Sequence, residues 1–156
     1  MAEHVAMVRW TRTSTPEEFL KGRYSREHTW TFDGGLTVPA SPAPGNVPAA
    51  FANPAHVDPE EAFVAAISSC HFLTFVWLAF KQGFVVDSYE DRAVGRMTKN
   101  ERGVAWVSET TLHPTISYSG AKVPTREQEA QLHHDAHEQC FIAQSVKTRI
   151  SVAGFE

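Results

Sequence analysis

The chain contains two cysteines, and they are the residues whose chemistry most needs an explanation. Cys70 lies in "VDPEEAFVAAISSCHF", and Cys140 ends "LHHDAHEQC" 70 residues later. A free cysteine is most often a small buried apolar residue, which favours a structural role for each cysteine taken alone. A reactive thiol needs a nearby cation or donor that stabilises the thiolate. The segment around Cys70 offers only His71, so an arginine would have to come from elsewhere in the fold.

The histidines before the second cysteine raise the question of a metal site. His133 and His137 are four residues apart and Cys140 is three residues further on, so a helix would place them on one face. The segment lacks the glutamate of a zincin helix and has no second cysteine nearby. A solvated or half-buried histidine cluster near a helix C-terminus is therefore favoured over a metal site.

The remaining candidates are charged residues, two in a predicted first helical turn and two in a predicted loop. Glu60 and Glu61 fall in a predicted first helical turn, where carboxylates are stabilising without any function. Arg23 and Arg26, in "GRYSREH", could equally be solvated loop charges. These residues become informative only if the fold brings them to the thiols, and their spacing cannot show that.

The segment after Val57 has a strong helix-start signal. Asp58 can cap the helix, Pro59 suits the first helical position, and Glu61 can complete a capping box. Apolar residues then cover nearly the whole circumference as far as Gly83, a typical helix stop. We predict one helix from about Pro59 to Lys81, buried at the centre of the protein.

The other elements predict an α+β protein. Thr15 begins a short helical turn, and Thr125 with Gln128 begins a second main helix. Period-two alternation predicts strands, with a turn at "DGG", a hairpin turn at "KNERG" and a long loop between. The predicted strands are "AMVRWTRT", "EHTWTF", "VVDSYEDRAVGRMT", "VAWVSETTLHPTISY" and "QSVKTRISVAGF". We expect an antiparallel sheet around the long helix, in one domain spanning residues 1–156.

Composition excludes several classes of function. The chain has 156 residues, a formal net charge of −4 and no basic stripe, which argues against a nucleic-acid partner. Neither a signal peptide nor a membrane span is expected, so the cytoplasm is the expected location. No motif predicts a nucleotide, flavin, haem or nicotinamide, and no cofactor is expected.

Four segments together resemble the OsmC/Ohr family, the osmotically induced and organic-hydroperoxide-resistance proteins. They are "YSREHTWTFDGG", "VDPEEAFVAAISSCHFLTF", "LHPTISYSG" and "LHHDAHEQCFIAQSV". The resemblance implies an intertwined homodimer and a thiol peroxidase that reduces organic hydroperoxides. It assigns the nucleophile to Cys70, the resolving cysteine to Cys140 and the helix-start glutamate to Glu60. The family's arginine matches Arg26, with Arg23 as the alternative.

The chemistry implied by the resemblance is a two-cysteine cycle. Arg26 would stabilise the Cys70 thiolate and Glu60 would orient the arginine. The thiolate would become a sulfenic acid, Cys140 would convert it to a disulfide, and an external dithiol would reduce the disulfide. Apolar residues would favour substrates with an organic tail; the candidates are Phe51, Phe63, Phe72 and Trp77.

Two alternatives stay open at the level of sequence. His71 follows the nucleophile where better-characterised branches often have phenylalanine, and histidines crowd Cys140. The chain could therefore be a metal- or small-molecule-binding dimer on the same fold, with a site formed by Cys140, His137 and His71. It could also be a stress-associated dimer whose cysteines only pack.

Overall fold

The computed structural model describes residues 1–155, which form three α-helices and eight β-strands in two units. The units divide at Ala62, within the long helix, and each is described by itself. The helices are α1 (Pro16–Leu20), α2 (Pro59–Lys81) and α3 (Arg126–Gln139). The strands are β1 (Ala6–Arg9), β2 (His28–Phe32), β3 (Thr37–Ala40), β4 (Val85–Asp91), β5 (Val94–Lys99), β6 (Ala105–Leu112), β7 (Pro114–Ser119) and β8 (Arg149–Val152).

The first unit, Met1–Ala62, is built on an antiparallel sheet in the order β1-β2-β3. The alternating segment at His28–Phe32 is its central strand, as predicted. The expected long loop is wrong in part, because Thr37–Ala40 pairs with β2 as strand β3. A 3-10 turn at Ala49–Phe51 adds further structure to the same segment. Pairing with the central strand β2 overrides the Pro- and Ala-rich composition here, because β3 is an edge strand and needs donors on one side only.

The start of α2 matches its sequence signal closely. The Asp58 carboxylate accepts a hydrogen bond from the Glu61 N–H at 2.8 Å, and Glu61 Oε2 accepts one from the Asp58 N–H at 3.3 Å. This reciprocal capping box satisfies two donors that a helix N-terminus would otherwise leave free. The helix runs from Pro59 to Lys81, the range predicted from the sequence.

The second unit starts at Phe63 and contains a long hairpin that bends in the middle. Two segments expected as single strands are each divided, into β4 and β5 and into β6 and β7, around the turn at Asn100–Val104. Strand β4 pairs with β7 in one sheet, while β5 pairs with β6 in another. Asp91 Oδ1 accepts a 2.6 Å hydrogen bond from the His113 N–H, which joins the two halves of the hairpin at the bend.

The final strand departs from the expected purely antiparallel arrangement. Strand β8 pairs with β6 in parallel, although all other strand pairs are antiparallel within residues 1–155. The chain reaches β8 from β7 through α3, and a crossover of this kind permits parallel pairing. The α+β class holds.

Helix α3 supplies the second layer of this unit. Thr125 and Gln128 form the predicted capping box at its start. Buried residues of α2 and α3 form the core together with the residue just before β4: Phe75, Leu78, Ala79, Phe84, Leu132 and Ala136. This core packs residues of the helix that carries Cys70 against residues of α3.

Within a single chain, helix α2 buries only one of its faces, so the all-round burial expected from its composition is not reached there. Ile67, His71 and Phe75 are at most 1% exposed. On the opposite side Leu73, Trp77 and Phe80 are 62%, 48% and 71% exposed. Large apolar side chains at this spacing form an exposed stripe, and burying them requires another surface.

The apolar character of α2 also corrects the expectation that no segment approaches a membrane span. The helix has 23 residues and an 18-residue window with a mean hydropathy of 1.8, so it has the length and composition of a spanning helix. Its inner face instead packs in the core of the second unit, and its buried His71 is hydrogen-bonded to α3. Length and hydropathy alone do not distinguish a core helix from a membrane helix.

Candidate active site

The two cysteines, 70 positions apart in sequence, come together in the second unit. Cys70 is half-buried in the third turn of α2, and Cys140 lies at the C-terminal end of α3. Both are free thiols, and Cys70 lies close enough to Cys140 to raise its pKa. A disulfide between them would need a sulfur–sulfur separation of roughly 2 Å.

Cys140 is the more protected thiol of the two. It is 1% exposed, and its sulfur accepts a 3.3 Å hydrogen bond from the Ala143 N–H. Burial, followed by the effect of the nearby Cys70 thiol, raises the pKa of Cys140 to about 11. Cys140 is therefore a neutral thiol near pH 7 in the reduced protein. The half-buried Cys70 is the thiol that a solute reaches more readily.

A buried histidine pair lies beside the cysteines. Nε2 of His71 is 3.0 Å from Nδ1 of His133, and the two rings stack with a 12° angle between their planes. Burial, and then the nearby His137, lowers the pKa of His71 to about 4. Burial, and then His71, lowers the pKa of His133 to about 3. Both rings are neutral at pH 7, so one nitrogen of the contact donates and the other accepts.

Asp91 connects the bend of the hairpin to the helix that carries Cys70. Ser68 Oγ, two residues before Cys70, donates a hydrogen bond to Asp91 Oδ2. The carboxylate also favours the charged form of His71, although this effect is smaller than that of burial. Asp91 thus anchors α2 near Cys70 and places a negative charge near the histidine pair.

The structure distinguishes the two candidate arginines in the first unit. Arg23 is exposed and forms a 3.6 Å ion pair with Glu18. Arg26 is half-buried and donates to the carbonyl oxygens of Tyr24 at 2.9 Å and Gly22 at 3.4 Å. Its guanidinium lies 3.9 Å from the centre of the Tyr24 ring, a cation–π contact.

Arg26 also lines a cavity of about 480 Å³ with mostly aromatic and apolar walls. The other lining residues are Val8, Trp10, Phe19, Tyr24, His28 and Pro42. Within residues 1–155 no carboxylate forms an ion pair with Arg26. A cation held by carbonyl groups in an apolar cavity is available to an anion.

Glu60 does not form the expected ion pair with Arg26. No ion pair joins the two residues in the part of the chain that the structure describes. The Oε2 atom of Glu60 is buried and has no hydrogen-bond partner among those residues. Glu61 acts in the capping box instead, which leaves the Glu60 carboxylate uncommitted. The orienting role of Glu60 therefore stays a prediction.

The histidines near Cys140 do not form the metal site that was the alternative. Over residues 1–155, no group of three or more His, Cys, Asp or Glu side chains is arranged to hold a metal ion. His71 points its Nε2 atom at His133 and not at a shared centre with Cys140 and His137. The rings of His133 and Phe75 are 4.5 Å apart, so an aromatic residue occupies one side of the pair.

The apolar residues proposed around the thiol have different environments. Phe72 is half-buried, with its ring 5.0 Å from that of Tyr89, and Phe63 is also half-buried. Trp77 is on the exposed stripe of α2 and carries Lys81 4.4 Å from its ring centre. Phe51, in the first unit, lies 5.8 Å from the Arg26 guanidinium.

Sequence reasoning missed His133 as the partner of His71 and Asp91 as the anchor of α2. His133 stood out in the sequence only as a member of a histidine cluster. Its separation of 62 residues from His71 contains no local signal of pairing. Asp91 appeared to be an ordinary polar residue in a strand, because the bend at that position was not predicted.

Comparison with known proteins agrees with this architecture. The family model described as OsmC-like protein matches residues 52–153. An OsmC-like protein of unknown function from Vibrio cholerae is 49% identical, with a TM-score of 0.92 and coverage of 97% of this chain and 98% of that one. No significant match to a curated protein was found.

Two organic hydroperoxide resistance proteins share the fold at lower identity. The protein from Elizabethkingia anophelis is 20% identical, with a TM-score of 0.68 and coverage of 97% and 96%. The protein OhrB from Bacillus subtilis is 21% identical, with a TM-score of 0.65 and coverage of 97% and 95%. At these identities the comparison establishes the fold. The family match and the Vibrio cholerae relative establish more: this chain belongs to the OsmC-like protein family.

Proposed function

We propose that the protein is a thiol-dependent peroxidase that reduces organic hydroperoxides in the cytoplasm. The observation that carries the proposal is the proximity of the half-buried Cys70 thiol to the buried Cys140 thiol. Family membership supports it, and so do neighbours that are named for organic hydroperoxide resistance. No bound cofactor is required, because the two sulfurs carry all the redox chemistry.

The first step uses Cys70 as the nucleophile. Its thiolate attacks the distal oxygen of the hydroperoxide, the O–O bond breaks, and the alkoxide takes up a proton and leaves as an alcohol. Cys70 is oxidised to a sulfenic acid. Cys70 suits this role because it is the more accessible of the two thiols.

The second step uses Cys140 as the resolving thiol. Its sulfur attacks the sulfenic sulfur of Cys70, an S–S bond forms, and the hydroxyl group leaves as water with the thiol proton. An external dithiol then reduces the disulfide and is itself oxidised to a disulfide. The high pKa of Cys140 keeps it protonated and unreactive toward peroxide until the sulfenic acid is present.

Arg26 and Glu60 are proposed to activate the nucleophile. The guanidinium of Arg26 has no carboxylate partner within residues 1–155, so it can stabilise a thiolate or a peroxide anion. Glu60 has a buried oxygen without a partner, which would be satisfied by an arginine donor. Arg26 is preferred to Arg23, because Arg23 is exposed and already paired with Glu18.

The protein is also proposed to act as a homodimer. The exposed stripe of α2 is large and apolar, as expected of a surface that a second copy covers. Such a dimer would complete the burial of α2 that the sequence predicted.

The test is a peroxidase assay with cumene hydroperoxide and a dithiol. Wild-type protein should turn over repeatedly, while Cys70→Ser should lose activity by roughly a thousandfold or more. Cys140→Ser should still react once with peroxide, forming a sulfenic acid that dimedone traps. A wild-type rate no higher than that of Cys70→Ser would refute the proposed function.

The alternative of a metal-binding dimer has its own measurement. Protein purified without a chelator or a histidine tag would be analysed for zinc, copper and nickel. A stoichiometric metal whose binding is lost in His137→Gln or Cys140→Ser would support that alternative. Metal-free protein with full peroxidase activity would exclude it.

A further inference from the structure

The His71–His133 pair is the feature near the thiols that the proposed two-cysteine cycle does not use. The two side chains are 1% and 2% exposed, and a 3.0 Å hydrogen bond joins them. His71 is the residue after Cys70 on α2, and His133 is seven residues before Cys140 on α3. The pair therefore joins the two helices that carry the two sulfurs.

Burying this pair has a cost that a hydrophobic pair would avoid. Two imidazoles lose their hydration, and Nε2 of His133 has no hydrogen-bond partner within residues 1–155. Apolar neighbours surround it, since the rings of Phe75 and Phe155 are 4.5 and 4.8 Å away. A hydrogen bond is directional where apolar contacts are not, so the pair can specify one register between the helices.

We propose that the hydrogen bond between His71 and His133 positions Cys140 against Cys70 for disulfide formation. His133 and Cys140 are separated by two turns of α3, so the helix transmits a shift or rotation at one to the other. The inference rests on the proposed function, because the disulfide is the second step of that cycle. In this role both histidines are positioning residues and neither touches the peroxide.

The neutral state of both rings suits this role. Both pKa values lie well below 6.5, so both rings are neutral near pH 7. One of the two facing ring nitrogens then donates the hydrogen bond and the other accepts it. The groups facing His71 are His137 and Asp91, and their effects on its pKa oppose each other. The hydrogen bond is thus present throughout the neutral pH range.

Disulfide equilibrium with glutathione measures the positioning without using peroxide. In this exchange the two protein thiols are oxidised to the Cys70–Cys140 disulfide while one oxidised glutathione becomes two reduced molecules. The equilibrium constant reports how well the two sulfurs are placed. We expect His71→Phe to lower it by about tenfold or more, since small misplacements of reacting groups have effects of this size.

A conservative variant and a packing control separate positioning from stability. His71→Gln can place an amide nitrogen or oxygen where Nε2 lies, and it should restore the constant to within about threefold of wild type. Leu132→Ala removes buried apolar volume from the same helix interface without touching the hydrogen bond. Leu132→Ala should lower thermal stability while leaving the disulfide equilibrium constant near the wild-type value.

If His71→Phe does not fold, His71→Phe/His133→Leu removes both buried polar groups and tests the same point. The inference would be overturned if the folded Phe-containing variant had the same disulfide equilibrium constant as wild type. It would also be overturned if Leu132→Ala lowered that constant as much as the Phe-containing variant does. The peroxidase assay reports separately on the proposed function. With peroxide, the sulfenic acid should form at the wild-type rate in His71→Phe, and only its conversion to disulfide should slow.

Discussion

The two faces of α2 have similar composition and opposite environments. The inner face holds Ile67, His71 and Phe75 at 1% exposure or less, and His71 and Phe75 contact residues of α3. The outer face exposes Leu73, Trp77 and Phe80. Cys70 lies on the border between them and is half-buried. One helix thus contributes to two surfaces, and Cys70 lies where its buried residues give way to exposed ones.

The inner face should carry the largest stability effect. Phe75→Ala removes a fully buried ring from the core shared with Leu132 and Ala136, and should cost about 3–5 kcal/mol in the free energy of unfolding. Urea denaturation at constant protein concentration would measure it. Val123→Ala is the matched control, because that side chain is 56% exposed, and a loss as large as that of Phe75→Ala would contradict the assignment.

The outer face should instead control association. Trp77→Glu puts a charge in the centre of the exposed stripe, and we expect dimer dissociation to become easier by about 2–4 kcal/mol. Analytical ultracentrifugation over a concentration series would measure the dissociation constant. Gln139→Glu adds the same charge to the exposed surface of α3 and should leave the constant unchanged. A wild-type protein that is monomeric at all concentrations would contradict the assignment of this face.

The buried pair of His71 on the inner face of α2 and His133 on α3 should make the stability of the protein depend on pH. His71 and His133 have pKa values lowered to about 4 and about 3, so the unfolded chain binds more protons than the folded one below pH 6.5. The contribution of the two histidines to the free energy of unfolding is complete above about pH 6.5. It is lost as pH falls toward 4, by up to about 1.4 kcal/mol per pH unit for each histidine. Urea denaturation at pH 7, 6 and 5 would measure the slope. His71→Phe/His133→Leu should flatten it, whereas His134→Gln, on the exposed side of α3, should not.

The N-terminal cap of α2 stabilises the helix that carries both faces. Its removal should have the smallest effect on the stability of the protein. Asp58→Ala removes the acceptor for the Glu61 N–H and should destabilise the protein by about 1 kcal/mol. Thermal denaturation would detect it. Glu61→Gln keeps the capping-box geometry and serves as the control. Equal melting temperatures for wild type and Asp58→Ala would show that the cap is dispensable.

The elements with local signals were predictable from sequence. The bounds of α2 and the capping boxes at Asp58 and Thr125 are as expected, because each depends on residues within four positions. The bend at Asp91 was missed, since it depends on a hydrogen bond to His113, 22 positions away. Strand β3 was missed because pairing with β2 outweighs the composition of a loop.

The candidate site divides in the same way. The residue types that suit thiol chemistry, Cys70 and Cys140, were evident from sequence and from the family resemblance. The preference for Arg26 over Arg23 required the fold, because the two differ in burial and in partners and not in residue type. The partner of His71 likewise required the structure, since nothing local connects it to His133.

The sequence by itself determined the α+β class, the long capped helix and the family to which the chain belongs, because these follow from periodicity, capping chemistry and short motifs. Only the tertiary structure decided which residues meet. It brought the thiol of Cys70 close to that of Cys140, joined His71 to His133, and left one face of α2 uncovered. The physical reason is that such contacts join residues distant in sequence, and their free energy depends on burial and direction that no local pattern records.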